Sequence, residues 1–170
     1  RPPMNGINGM TAIALDTELT PYQQECLGTV SLSAKSLLTL LNDILDFSKI
    51  ESRKLELESI PFSLADAVGE AVKLLAVHAD RKGLELITDI PPDVPAAVVG
   101  DPVRLKQILT NLAGNALKFT ERGQIIVAVR EETRHGDSTT LHFSVADTGI
   151  GIPKERQAAV FAAFSQADGS

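Results

Sequence analysis

The sequence predicts an α+β chain in two parts. An antiparallel helical hairpin, half of a dimeric four-helix bundle, precedes an α/β sandwich with one mixed sheet and helices on one face. Three observations predict it. Between Tyr22 and Arg53, Leu27, Val30, Ala34, Leu37, Leu41 and Ile44 step by three and four, which is a heptad seam on one long helix. Beyond residue 53 the pattern changes to short alternating runs, separated by two amphipathic helices with start and stop signals. Strands and helices in that order bury their apolar sides as a sheet covered by helices.

Composition sets the limits. The 170 residues suit one medium domain or two small ones, and 44% hydrophobic residues is the balance of a globular protein. Aromatic residues are few and Trp is absent, so the core must be mainly aliphatic. A net charge of -6 argues against nonspecific nucleic-acid binding. A single cysteine, Cys26, excludes an internal disulfide, and its helical setting suggests a small, buried or half-buried side chain. No run approaches a membrane span and no signal peptide is seen.

Taken in order, residues 4–15 read as the end of a helix. Asp16-Thr-Glu-Leu-Thr-Pro is a turn, with Thr20 as cap and Pro21 at the next helix start. The long helix follows, with Leu38 and Leu45 broadening its seam. So wide an apolar face needs a cover, either a second copy or another domain of the same chain. Two copies would form a four-helix bundle. Lys49-Ile-Glu-Ser-Arg-Lys-Leu is the charged exit and the expected domain boundary, giving residues 1–53 and 54–170. Lys54-Leu-Glu-Leu-Glu-Ser-Ile alternates as a strand. Residues 63–80 form an amphipathic helix capped by Ser63 and ending near Gly83. Leu84–Ile90 is a strand, Pro91-Pro-Asp-Val-Pro a rigid loop, and Ala97–Gly100 a short strand. Gln124–Arg130 and Thr140–Ala146 pair as a hairpin around Arg134-His-Gly-Asp.

Two stretches carry the chemistry. Asp101 and Pro102 open a helix whose expected apolar stripe is Leu105, Ile108, Leu109, Leu112 and Ala116. Asn111, Asn115 and Lys118 are spaced by four and three, so they share one face. Amides are poor helix formers, and two of them a turn apart, with a lysine beyond, read as a polar site. An amide oxygen suits Mg²⁺ and a lysine point charge suits phosphate. Asp147-Thr-Gly-Ile-Gly ends a strand in a glycine turn. Alone it is a common turn. Its carboxylate nevertheless suits an exocyclic amine, and its glycines let backbone approach a flat ligand.

Together these words resemble the histidine protein kinases. Asn111-Leu-x-x-Asn115-Ala-x-Lys118-Phe-Thr resembles the family's N box, Asp147-Thr-Gly-Ile-Gly-Ile its G1 box, and Val160-Phe-x-x-Phe164-Ser-Gln its F box. Arg1-Pro-Pro-Met-Asn-Gly resembles the tail of its H box, and the Met-Asn-Gly-Ile wording resembles the hybrid kinases. The motifs keep the family order over nearly the whole chain. The resemblance implies a dimerisation and phosphoacceptor hairpin at 1–53 and an ATP-binding domain at 54–170. Asn115 would hold Mg²⁺, Asn111 water or phosphate, and Lys118 a phosphate oxygen. Phe119 would lie against adenine, whose amine Asp147 would accept. Gly149, Gly151 and Ile152 would belong to the loop over the nucleotide. Phe161 and Phe164 would anchor the lid, dock on the hairpin, or simply pack in the core. ATP and Mg²⁺ are the implied cofactors. A second copy and a response-regulator receiver domain are the implied partners, with no nucleic acid. A cytoplasmic portion is implied, with plasma-membrane anchoring of the parent left open.

The chain departs from the family pattern in three places. By motif spacing the phosphoaccepting histidine falls three residues before Arg1, and His78, His135 and His142 read as structural or surface residues. Pro2 stands where the family often has Thr, which puts phosphatase activity in doubt. The chain stops at Gly169-Ser170, so the second glycine box, the lid and the last strands are expected beyond it, as in a kinase core cut at both ends. The alternative function is therefore a non-catalytic dimerisation and docking module. A gyrase- or chaperone-type ATPase would carry a glutamate base where Asn111 stands.

Overall fold

The computed structural model describes residues 2–157. Phe161, Phe164 and the remainder of the F-box-like word lie outside the described residues. The chain divides into two compact units, Arg1–Glu56 and Leu57–Ser170.

The first unit is a pair of helices, α1 (Pro2–Leu15) and α2 (Pro21–Glu51). Thr20 starts α2 with a capping box. Its hydroxyl accepts from the Gln23 backbone N–H at 3.3 Å, and the Gln23 side chain accepts from the Thr20 N–H at 2.9 Å. At the other end Arg53 takes φ 54°, and Lys54 N–H donates to Lys49 O at 2.8 Å, which turns the chain out of the helix. Along α2, Leu27, Ser31, Ala34, Leu38, Asp46 and Phe47 are the more buried positions. The rest of the seam is uncovered within one chain. Val30 is 44%, Leu37 47%, Leu41 37% and Ile44 53% exposed, and Ile7, Met10 and Ile13 on α1 are also exposed. Cys26 is exposed, contrary to expectation, because the buried stripe runs through Leu27 and not through its neighbour.

The second unit follows the order β1 (Ile60–Ser63), α3 (Leu64–Lys82), β2 (Glu85–Asp89), β3 (Ala97–Gly100), α4 (Pro102–Phe119), β4 (Gln124–His135), β5 (Ser138–Asp147) and the short α5 (Lys154–Gln157). Local signals fix the helix ends. Ser63 caps α3 by accepting from Asp66 N–H at 3.3 Å, and Gly83 ends it at φ 67°. Asp101 caps α4 by accepting from Arg104 N–H at 3.0 Å. The three-stranded sheet has the order β2-β4-β5, parallel between β2 and β4 and antiparallel between β4 and β5. That sheet is mixed, as expected.

Two features of the strands differ from the sequence reading. The strands do not form one sheet, since β1 and β3 pair separately as an antiparallel ribbon. Residues 54–59 are not a strand despite their alternation. Ile60 pairs with Gly100, and after β3 the chain turns into α4 at Asp101 and Pro102. No ladder remains for residues 54–59 to join, and Leu57 is left 67% exposed.

Helices α3 and α4 cover one face of the sheet. Ile125, Val127 and Val129 alternate inward along β4 at 0% exposure, against Leu64, Val68, Ala71 and Val72 of α3 and Leu109, Ala113, Ala116 and Leu117 of α4. Alanines at 71, 113 and 116 let the layers approach closely, and each fully buried Leu or Val contributes about 1.5–3 kcal/mol. The buried stripe of α4 therefore runs through 109, 113, 116 and 117. Ile108 and Leu112, expected in the core, are 56% and 46% exposed, because they lie on the side of the helix that carries Asn111 and Asn115.

Candidate functional site

The C-terminal half of α4 presents Asn111, Asn115, Lys118 and Phe119, all exposed. Neither asparagine side chain hydrogen-bonds to another described residue. Lys118 Nζ lies 5.0 Å from the centre of the Phe119 ring, within reach of the ring's negative face. The end of the helix is held from α3. Lys82 Nζ donates to Leu117 O at 2.7 Å, Thr120 O at 3.4 Å and Lys118 O at 3.5 Å, a cation at the negative end of a helix. Thr120 closes α4, its N–H donating to Ala116 O at 3.0 Å.

The 147–151 loop is stitched to this helix end. Asp147 is the last residue of β5, opposite Ile125. Its Oδ1 accepts from Gly149 N–H at 2.8 Å and lies 3.5 Å from the Thr120 hydroxyl. Ile150 N–H donates to Phe119 O at 3.4 Å. Gly149 is required by space: a Cβ there would stand 2.5 Å from Phe119 O, 2.8 Å from Asp147 Oδ1 and 2.9 Å from Thr120 Oγ1. Gly151 is required by conformation, with φ 69°. Ile150 and Ile152 are 77% and 48% exposed. Thr148 pins the strand end from the other side. Its hydroxyl donates to Arg122 O and accepts from Gln124 N–H, both at 3.1 Å. That contact leaves room only for glycine at 123, where a Cβ would fall 2.2 Å from Thr148 Oγ1.

The loop thus meets the helix at Phe119 and Thr120; Asn111, Asn115 and Lys118 lie on that same helix, and Gly151 and Ile152 on that same loop. Phe161 and Phe164 lie outside the described residues. His78 on α3, His135 at the end of β4 and His142 on β5 are all exposed. His142 Nδ1 stands 3.5 Å from Glu132. An open groove of about 780 Å³ between the β1–β3 ribbon and β5 is lined by none of the candidate site residues. Sequence reasoning missed Lys82, Thr120 and Thr148 as supports. The signals were the two threonines inside quoted words, Thr120 in Lys-Phe-Thr and Thr148 in Asp-Thr-Gly.

Residues 1–53 match the family described as His Kinase A (phospho-acceptor) domain, and residues 100–170 match Histidine kinase-, DNA gyrase B-, and HSP90-like ATPase. The chain belongs to the histidine protein kinases. This kinase chain is 51% identical over 170 residues to the signal transduction histidine-protein kinase BarA of Escherichia coli (strain K12), covering 100% of the chain and 18% of that protein. It is likewise 51% identical over 170 residues to the sensor histidine kinase GacS of Pseudomonas protegens, with the same coverage. Among solved structures, full-length ShkA in complex with AMPPNP superposes with a TM-score of 0.80 at 35% identity, covering 99% of the chain and 35% of ShkA. The kinase chain therefore spans less than a fifth of the length of these curated relatives. Among the described residues, no helix is long and apolar enough to cross a membrane.

Proposed function

We propose that residues 54–170 bind Mg-ATP between α4 and the 147–151 loop, and that residues 1–53 pair with a second copy as the phosphoacceptor hairpin. The observation that supports this reading is an exposed Asn111, Asn115 and Lys118 set on the helix whose end, at Phe119 and Thr120, bonds to a glycine loop headed by Asp147. The residues fit the nucleotide and its metal. Two amide oxygens not engaged elsewhere among the described residues are hard ligands, and at Gly149 a close-packed cradle excludes any Cβ. Asn115 holds the metal, with Asn111 one turn away for water or phosphate. Magnesium, when bound, neutralises phosphate oxygens.

The chain's own residues supply position and charge, which is most of what phosphoryl transfer asks of a protein. Asp147 accepts from the adenine amino group, Phe119 stacks beside the base, and Lys118 swings from the Phe119 ring to a phosphate oxygen. Gly149, Gly151 and Ile152 shape the loop over the nucleotide. Within the whole protein, the γ-phosphate passes to a histidine outside these 170 residues, since none of the three present lies on α1 or α2. From there it passes to an aspartate of a receiver domain. The uncovered seam of Val30, Leu37, Leu41 and Ile44 supports pairing into a four-helix bundle.

The test is Asn115→Ala. Mg²⁺-dependent binding of ATP, measured by calorimetry with and without Mg²⁺, should be lost. Unchanged Mg-ATP affinity would remove Asn115 from the metal site.

A further inference from the structure

We propose that Thr120 is a positioning residue that sets the orientation of the Asp147 carboxylate and thereby the preference for adenine over guanine. This rests on the reading of Asp147 as the acceptor for the base.

Thr120 is fully buried at 0% exposure. A buried hydroxyl needs a partner, and here it faces Asp147 Oδ1 at 3.5 Å. The threonine hydroxyl donates and the carboxylate oxygen accepts. The same oxygen accepts from Gly149 N–H at 2.8 Å. Two donors therefore converge on Oδ1 from within the protein, and Oδ2 is the oxygen left for a ligand. The carboxylate torsion is intrinsically broad and roughly two-fold, so one backbone contact alone leaves it free to rock. The hydroxyl adds a second point of attachment from the opposite element, at the end of α4.

Orientation matters because the two purines differ in sign at this position. Adenine offers an amine that donates, whereas guanine offers a carbonyl that accepts and would face a carboxylate oxygen. A fixed acceptor rejects guanine because both acceptors are left unpaired. A carboxylate free to turn can swing away from the carbonyl, or towards guanine's own donors, and the rejection weakens. The main chain of Thr120 does not depend on its hydroxyl: its N–H bonds Ala116 O and its carbonyl accepts from Lys82 Nζ. Replacing the hydroxyl by a methyl should therefore leave the helix end in place.

The experiment compares Thr120→Val and Thr120→Ser with the wild-type chain. Mg-ATP affinity is measured by calorimetry, Mg-GTP affinity by displacement of ATP, and stability by urea unfolding. In Thr120→Val the ATP-to-GTP preference should fall about tenfold, and Thr120→Ser should restore it. A preference unchanged in Thr120→Val, or not restored by serine, overturns the proposal. Should Thr120→Val unfold, Thr120→Ala is read against Thr120→Ser on the same ratio. A wild-type chain that binds ATP without preferring it to GTP would instead overturn the adenine reading of Asp147 itself.

Discussion

Gly149→Ala is the substitution for which the site makes the sharpest demand. The added Cβ would stand 2.5 Å from Phe119 O, which is 0.9 Å inside the 3.4 Å where ordinary contact begins. It would also press on Asp147 Oδ1 and Thr120 Oγ1 at 2.8 and 2.9 Å. Two of the three obstacles are a backbone carbonyl and a fully buried hydroxyl, neither of which can swing aside. The loop must move instead, at about 1–3 kcal/mol, and the movement pulls Gly149 N–H away from the carboxylate. Against a typical domain stability of about 5–15 kcal/mol, the variant should remain folded. Its base contact should not survive. Losing a hydrogen bond to a charged acceptor costs about 1.5–3 kcal/mol, so Mg-ATP affinity should fall about 10- to 100-fold. The control is Gly114→Ala on α4, where a Cβ meets nothing within 4 Å. It should be neutral for binding and raise stability by about 0.5–1 kcal/mol. Calorimetric titration and urea unfolding read both quantities. Wild-type affinity in Gly149→Ala, with unchanged stability, would refute the packing argument and the placement of the nucleotide together.

Three further outcomes are expected. Leu41→Glu places a charge in the uncovered seam of α2 and should weaken self-association by at least about 100-fold, roughly 2.7 kcal/mol; light scattering that still finds a dimer would place the interface elsewhere. Lys82→Met removes the cation from the end of α4 and should lower the urea midpoint by the equivalent of about 0.3–2 kcal/mol, with less effect in high salt. The Arg104 backbone N–H, helped by that of Glu58, holds the Asp101 carboxyl below its ordinary 3.8, against an opposing effect of desolvation. A lowered folded pKa gives stability that is complete above the ordinary value and lost as pH falls through the folded one. Asp101→Asn should therefore flatten the acid limb of the stability profile, and an unchanged limb would count against those hydrogen bonds.

What could be read in the sequence was what is decided locally. Thr20 with Pro21, Ser63 with Gly83, and Asp101 with Pro102 each fix a helix end through atoms within a few residues, and each stands where expected. The spacing of Asn111, Asn115 and Lys118 is likewise a property of one helix. Misreadings arose where the deciding partner is distant in sequence. Residues 54–59 alternate as a strand should, yet β3 ends at Gly100 and offers them no ladder. Ile108 and Leu112 fit an apolar stripe as well as Ala113 and Leu117 do, and only the position of β4 decides which set is covered. Thr120 looked like the last letter of a motif, because nothing in the sequence brings a hydroxyl at the end of α4 to a carboxylate at the end of β5.

The two ends of the proposed pocket are built to different tolerances, and the chemistry explains why. At the base end, Asp147 Oδ1 takes one backbone donor and faces one hydroxyl, Gly149 has no space for a Cβ, and Lys82 and Thr148 hold the flanking segments. Choosing between an amine and a carbonyl depends on the direction of one oxygen, so that oxygen must be set before the ligand arrives. At the phosphate end, Asn111, Asn115 and Lys118 stand exposed on a helix face, and neither amide hydrogen-bonds to another described residue. On the proposed reading their task would be to meet a hydrated cation and charged oxygens, where attraction is strong and less dependent on angle. Exposed amides also pay no desolvation cost while waiting. On this arrangement, substitutions at the base end should change which nucleotide is bound, whereas those at 111, 115 and 118 should change how tightly any nucleotide triphosphate is held.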